Sequence, residues 1–273
     1  GARLSALTQA LAYKGIKCTQ KVEERRITRE NVDKARAAAA ALGTEDPSDK
    51  RIWRSLEDKA FSRTIRNFLW KIIQNAYKLG DFWKHVAGFE SRGICPVCDV
   101  EETIEHILID CRIGARDQLW TLAQLLWEKK GGDWPDIGIG YIFACGLATP
   151  LNDALQKQQG GARLFLIIIS ETAHLIWRLR CERRIKLEDN QAKWHSGVEI
   201  HNRWLTGINN RLALDRVLTN CLKYGRKALD PKMVLKTWGG TLKNERNLPD
   251  DWIVGPEVLV DISAKKRPRG RNR

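Results

Sequence analysis

Apolar residues recur at helical spacing through most of the chain. Between Ser62 and Leu79, the residues Ile65, Phe68, Leu69, Ile72, Ile73 and Ala76 follow the i, i+3, i+4, i+7 rhythm of a buried helix face. Upstream, the Ala-rich run from Thr28 to Leu42 reads as a helix with Thr28 as its N-cap and Gly43 as its stop, and the run from Gly43 to Asp49, with Pro47, breaks the helical pattern there. Further helices are expected from Ala115 to Trp127, Ala162 to Glu188 and Val198 to Tyr224, the last with Trp204, Leu205, Ile208 and Leu212 along one face. No alternation of apolar and polar residues is long enough to argue for a sheet, so the expected fold class is all-α.

Breaks in the pattern suggest how the chain is divided. The segment from Gly131 to Gly140 holds four glycines and Pro135 and is the best candidate for a boundary between two halves. The expected organisation is an N-terminal helical segment (1–50), a domain that contains the cysteines at 95, 98 and 111 (51–130), a C-terminal helical domain (141–257) and a basic tail (258–273). The stretch Lys265 to Arg273 has nothing to bury and should be disordered.

Charge and cysteine usage narrow the function classes. Lys and Arg total 47 against 33 Asp and Glu, a formal charge of +14 that favours polyanionic partners, with a merely basic soluble surface as the plain alternative. No secretory signal opens the chain and Leu164 to Trp177 is too short and too interrupted to span a bilayer, so no membrane partner is expected. An intracellular, nuclear location is expected, with the basic tail as a candidate import signal. Seven cysteines argue against a disulfide framework and for free thiols or a metal site. The start at Gly1 and the single Met233 suggest a piece of something longer.

One cluster has ligand spacing. Cys95, Cys98, His106 and Cys111 form a C-x2-C-x7-H-x4-C array. Two thiolates on one tight turn share an ion, while a His and a Cys from a second element close a tetrahedron, the arrangement of a structural Zn²⁺ site. Four protein ligands leave no open position for activating water. Thr103 is placed to cap a short helix burying Ile104, Ile107 and Leu108. On a regular helix His106 and Cys111 rotate well apart, so Cys111 should lie at a loosened end. Cys18, Cys145, Cys181 and Cys221 lack such spacing and read as small buried hydrophobes, and His174 reads as a core residue; His85, His195 and His201 are weak ligand candidates.

These residues carry a resemblance. Asn67-Phe-Leu-Trp70, Gly80, Phe82-Trp83, Cys95-Pro-Val-Cys98, Glu102-Thr103, His106-Ile-Leu and Cys111 resemble the zinc-binding domain at the C-terminal end of non-LTR retrotransposon reverse transcriptases, over roughly 62–120. Ala173-His-Leu-Ile-Trp177, Arg180-Cys-Glu-Arg183, His201-Asn-Arg-Trp204 and Asn247-Leu-Pro-Asp-Asp-Trp252 are similar to the tail that follows RNase H domains in fungal retroelement-derived proteins. The resemblance implies a role in handling element RNA or DNA. Polymerase aspartates and an RNase H carboxylate constellation are both missing, so it implies an accessory piece without a catalytic site.

The nucleic-acid surface is expected on the 62–79 helix, opposite its apolar stripe, where Arg63, Arg66, Asn67, Trp70, Lys71, Gln74 and Lys78 fall. Cations there would hold phosphates and the indole would stack a base; alternatively Trp70 packs beneath the metal loop and the charges are a solvated face. The loop from Cys95 to Cys111 has five acids and no Lys or Arg, so it would repel a phosphate backbone. Further basic clusters are Arg178, Arg180, Arg183, Arg184 and Lys186, and Arg226, Lys227, Lys232 and Lys236. The expected function is a non-catalytic, zinc-binding accessory region that contacts RNA or DNA with little sequence preference. Its rivals are a protein-interaction module that keeps the zinc fold alone, and a remnant of RNase H whose catalytic half lies outside the chain.

Overall fold

The computed structural model of the protein describes residues 7–19, 25–148, 160–255 and 258–265; the basic run beyond Lys265 lies outside them. The described residues form an all-helical fold with no strand, only the antiparallel bridges Ile94 with Glu101 and Leu242 with Val260. In chain order the α-helices are α1 (Gln9–Thr19), α2 (Arg26–Ala41), α3 (Asp49–Ser55), α4 (Arg63–Ile73), α5 (Asp81–Lys84), α6 (Gly114–Lys129), α7 (Ile139–Ala144), α8 (Gly161–Cys181), α9 (Gly197–Val217), α10 (Cys221–Tyr224) and α11 (Pro231–Trp238).

The core is organised around α8. Its residues Leu164 to Ala173 are buried almost without interruption, the signature of a helix enclosed on all sides, and it packs against α4, α6, α9 and α11. Buried apolar residues from Val32 to Val260 belong to a single cluster, so the glycine-rich segment 131–140, expected to divide two halves, runs within one core and its last two residues open α7. The strongest helix pairing joins α2 to α7, on opposite sides of that expected boundary. Gly140 permits the approach: a Cβ there would stand 2.6 Å from the Lys34 carbonyl oxygen. Asp215, fully buried on α9, accepts bonds from Arg163 Nη1 (2.6 Å) and Nη2 (2.9 Å) on α8 and from Trp238 Nε1 (2.9 Å) on α11, tying three helices at one carboxylate.

Helix boundaries depart from the periodic pattern for local reasons. Thr28 is not a cap; it lies buried inside α2 and its hydroxyl donates to Gln74 Oε1 (3.2 Å), while Arg25 takes the N-cap position. Ser62 does cap α4, accepting from the Ile65 amide (3.2 Å). That helix stops at Ile73 because Asn75 turns left-handed (φ 46°), which leaves Ala76 and Lys78 beyond it and Ala76 exposed. Likewise α9 ends at Val217, where Asn220 caps a separate short turn.

Residues 258–265, assigned to the tail by composition, are packed along α9. Val258 and Val260 are buried, Asn209 Oδ1 accepts from the Val260 amide (2.9 Å), and Asn202 exchanges two bonds with the Lys265 backbone. Their apolar side chains decided the matter over the adjacent charge.

His174 is a core-facing residue, as expected, with its ring 5.2 Å from that of Phe68, and burial lowers its pKa to about 4. A histidine that charges more easily unfolded than folded contributes full stability above its unfolded pKa near 6.5 and loses it as pH falls towards 4. Between pH 7 and pH 4 the parent should therefore lose about 2–3 kcal/mol more than His174→Gln in urea unfolding, the metal-dependent part cancelling in the comparison. Equal losses would remove His174 from the acid response.

Candidate metal centre

The first two thiols sit on a tight reversal. Cys95 N–H donates to Val100 O (2.8 Å), Asp99 N–H donates to Cys95 O (2.9 Å), and Asp99 adopts the left-handed conformation (φ 55°) that closes the turn. Gly93 and Gly80 lie beneath it in near contact; a Cβ on Gly93 would come within 2.6 Å of the Gly80 carbonyl oxygen. Thr103 caps the next element as expected, its Oγ1 accepting from the His106 amide (3.0 Å).

The spacing of the other two ligands is solved by a π turn. Residues His106–Asp110 are π-helical and the Cys111 N–H donates to the His106 carbonyl (2.7 Å), an i→i+5 bond. The wider turn returns Cys111 to the His106 side of the element, where an α-helical turn would have carried it round. Five residues that look one too many for a helix are thereby what brings the pair together.

All four donor atoms lie within 4.8 Å of one another. Cys111 Sγ is 3.9 Å from both Cys95 Sγ and Cys98 Sγ. A tetrahedral ion with metal–sulfur bonds of about 2.3 Å separates its sulfurs by about 3.8 Å, so the thiols already stand at ligand spacing. His106 Nε2 is buried with no hydrogen-bond partner, a nitrogen left for an ion to satisfy. Burial lowers the pKa of His106, and burial pushes the Cys111 thiol up to about 12. Burial also works to raise Cys98, but the Arg112 amide (3.3 Å) and the neighbouring thiols outweigh it and hold Cys98 below its ordinary value. A cation among the three sulfurs reverses these penalties, because it stabilises the thiolates that a dry site disfavours. The cluster is thus positioned to bind a metal ion through Cys95, Cys98, His106 and Cys111.

Three of the loop's five acids, expected to repel phosphate, are engaged from within the fold. Glu101 accepts from Lys84 of α5 (2.6 Å), Glu105 pairs with Lys34 of α2, and Glu102 takes a bidentate bond from Arg180 of α8. Glu102 is 1% exposed, with Arg183 and Arg184 each 3.7 Å away. The basic cluster of Arg180, Arg183 and Arg184 is therefore not an open solvated face: a π turn over Glu182–Lys186 continues α8, and these arginines are turned towards Glu102 and Asp189. Arg178, Arg226, Lys227, Lys232 and Lys236 are exposed. Cys145 is buried and Cys181 partly so, whereas Cys18 and Cys221, expected inside, lie exposed on α1 and α10, two helices that bury no residue. His85, His195 and His201 bond to Asp81 O, to Glu182 and Glu199, and to Ser263 O, away from the thiols.

On α4, Arg63, Arg66, Asn67 and Trp70 share the exposed side, and Trp70 is 50% exposed, so it does not pack beneath the metal loop. Lys71 is partly buried with Nζ over the Tyr77 ring (5.4 Å). Lys78, expected on the helix, sits in the loop after it, over the Phe82 ring (5.0 Å). Helical periodicity and ligand spacing do not single out Phe89 and Arg92, yet Phe82 and Phe89 are both exposed, and the Arg92 guanidinium stacks on Trp83 (5.3 Å) and Phe89 (4.6 Å). Their signal in the sequence is a run of aromatics between basic residues just before Cys95. No helix among the described residues is long and apolar enough to cross a membrane. No family model, curated protein or solved structure matches the chain.

Proposed function

We propose that this chain is a non-catalytic, zinc-stabilised helical module that binds RNA or single-stranded DNA through the outer face of α4. A Cys3His set matches Zn²⁺, and with four protein ligands the ion holds structure together and offers no site for substrate. The observation that carries the nucleic-acid reading is the α4 face itself. It has no acidic residue, among the described residues its Arg63, Arg66 and Lys71 make no ion pair, nor does Lys78 in the loop that follows, and half-exposed Trp70 shares the side of Arg63 and Arg66. Unneutralised cations around an available indole suit a flexible strand, with phosphates held by charge and a base stacked on the ring. The likeness of 62–120 to retrotransposon zinc-binding domains supports the same reading and, with it, an origin in a retroelement protein and a nuclear setting.

Salt dependence tests it. Changing Arg63, Arg66 and Lys71 together to Gln should flatten the slope of log affinity against log salt by about two to three units, since each neutralises about one phosphate. Trp70→Ala should cost roughly 1–3 kcal/mol of single-strand affinity with little change in slope, since stacking releases few counterions. A folded, metal-loaded triple variant with the parent's slope rules out this face and favours a protein-interaction module.

A further inference from the structure

A cleft of about 500 Å³ opens where the metal loop, the start of α6, the end of α8 and the start of α9 meet. Its walls are largely apolar, from Val97, Ile113, Ile176, Leu187 and Ile200, and its volume falls in the range of small-molecule sites. Two residues lining it carry unmet donors. Arg183 is 6% exposed, yet its Nε and Nη1 have no hydrogen-bond partner, and the buried Nε1 of Trp194 has none either. Arg183 Nε lies 3.6 Å from Asp189 Oδ1, itself without a bond, and a small shift would satisfy that pair; Arg183 Nη1 and Trp194 Nε1 remain without a hydrogen-bond partner, the guanidinium standing over the Trp194 ring at 5.3 Å.

Charge counting sharpens the point. Arg180 takes both oxygens of Glu102 and Arg184 bonds to Asp189, so both carboxylates are engaged elsewhere and neither stands within hydrogen-bond distance of Arg183. The nearby group of Glu182, Glu199, His195, Arg203 and Arg178 balances two acids with two arginines, and Arg116 pairs with Asp117. Buried arginine lacking hydrogen bonds is costly unless something accepts from it. The α6 N-terminus, without a side-chain cap at Ile113, and exposed Arg112 add positive potential at the same cleft.

We propose that this cleft binds a small organic oxyanion, a carboxylate or phosphate joined to an apolar body of about ring size, with the anion on Arg183 Nη1 and Trp194 Nε1 and the body against the aliphatic walls. The site is separate from the α4 face and does not depend on nucleic-acid binding.

Calorimetric titration of the metal-loaded protein with phenyl phosphate, phenylacetate, neutral phenylacetamide and inorganic phosphate tests it, alongside NMR of the Trp194 indole N–H assigned through Trp194→Phe. At least one aryl anion should bind saturably, at least tenfold tighter than the amide and than inorganic phosphate, and should shift the Trp194 signal; which anion wins identifies the head group. Arg183→Gln should weaken binding at least tenfold. Should that variant fail to fold, Gly114→Phe decides instead, because Gly114 lines the cleft and a Cβ there meets nothing within 4 Å, which leaves room for a ring to compete with the ligand's apolar body. Absence of binding at millimolar ligand, equal binding of the amide or of inorganic phosphate, or parent-like affinity in a folded Arg183→Gln or Gly114→Phe protein would each overturn the proposal.

Discussion

Stripping the metal with a strong chelator is expected to lower the melting temperature by about 10 °C or more and to make unfolding less cooperative. Structural zinc sites of this donor type bind with roughly 10–16 kcal/mol in small peptides, and because the site forms only in the folded chain that energy is folding energy. Even if about 5 kcal/mol of it survives as net stabilisation, a chain of this size shifts by about 2 °C or more per kcal/mol. Cys98→Ser and His106→Ala should reproduce the loss without chelator. The effect should reach beyond the loop, because Ile104, Ile107 and Leu108 lie in the same core cluster as α4, α6 and α8. Metal analysis should return about one zinc per chain. An unchanged melting curve after verified metal removal would defeat the structural role of the site.

Glu102→Gln is expected to cost about 3–5 kcal/mol, the range for removing one partner of a buried ion pair, since it leaves Arg180, Arg183 and Arg184 around a neutral amide. It should also weaken metal retention by roughly tenfold or more, because Glu102 lies between Cys98 and His106 and its bond to α8 fixes where those ligands stand. The penalty belongs to the stranded charges, so adding Arg180→Met should recover part of it. Chemical denaturation of the two single variants and the double variant gives the coupling directly. A Glu102→Gln protein as stable as its parent would show that water already screens these arginines.

The helices and the four ligands were legible because each rests on a repeat or spacing that only a few structures satisfy. Ile65, Phe68, Leu69, Ile72 and Ile73 are buried as their periodicity demands, and the C-x2-C-x7-H-x4-C array closes as its residue types demand. The illegible features depend on partners far away in the chain. Thr28 looks like a cap until Gln74 is beside it, and Arg180, Arg183 and Arg184 look like a solvated cluster until Glu102 is set among them. Five acids without a base in a loop due to pack on helices was a usable hint that cations would arrive from elsewhere. The π turn had a weaker trace: the excess residue between His106 and Cys111 read as a frayed end rather than a wider helix.

The anchoring of Glu102 by a residue 78 positions later bears on how the molecule can be dissected. A peptide spanning 62–120 holds all four candidate ligands, yet it lacks α8, which supplies Arg180, and α2, which supplies Lys34. Such a peptide keeps the coordinating donors while exposing Phe68 and Leu108 and leaving Glu102 with no counter-charge. Grafting that stretch onto another scaffold would transfer the chemistry of the ligands without the mechanical frame that sets their spacing. The metal loop of this protein behaves as a keystone, cut to the arch around it, rather than as a portable cassette.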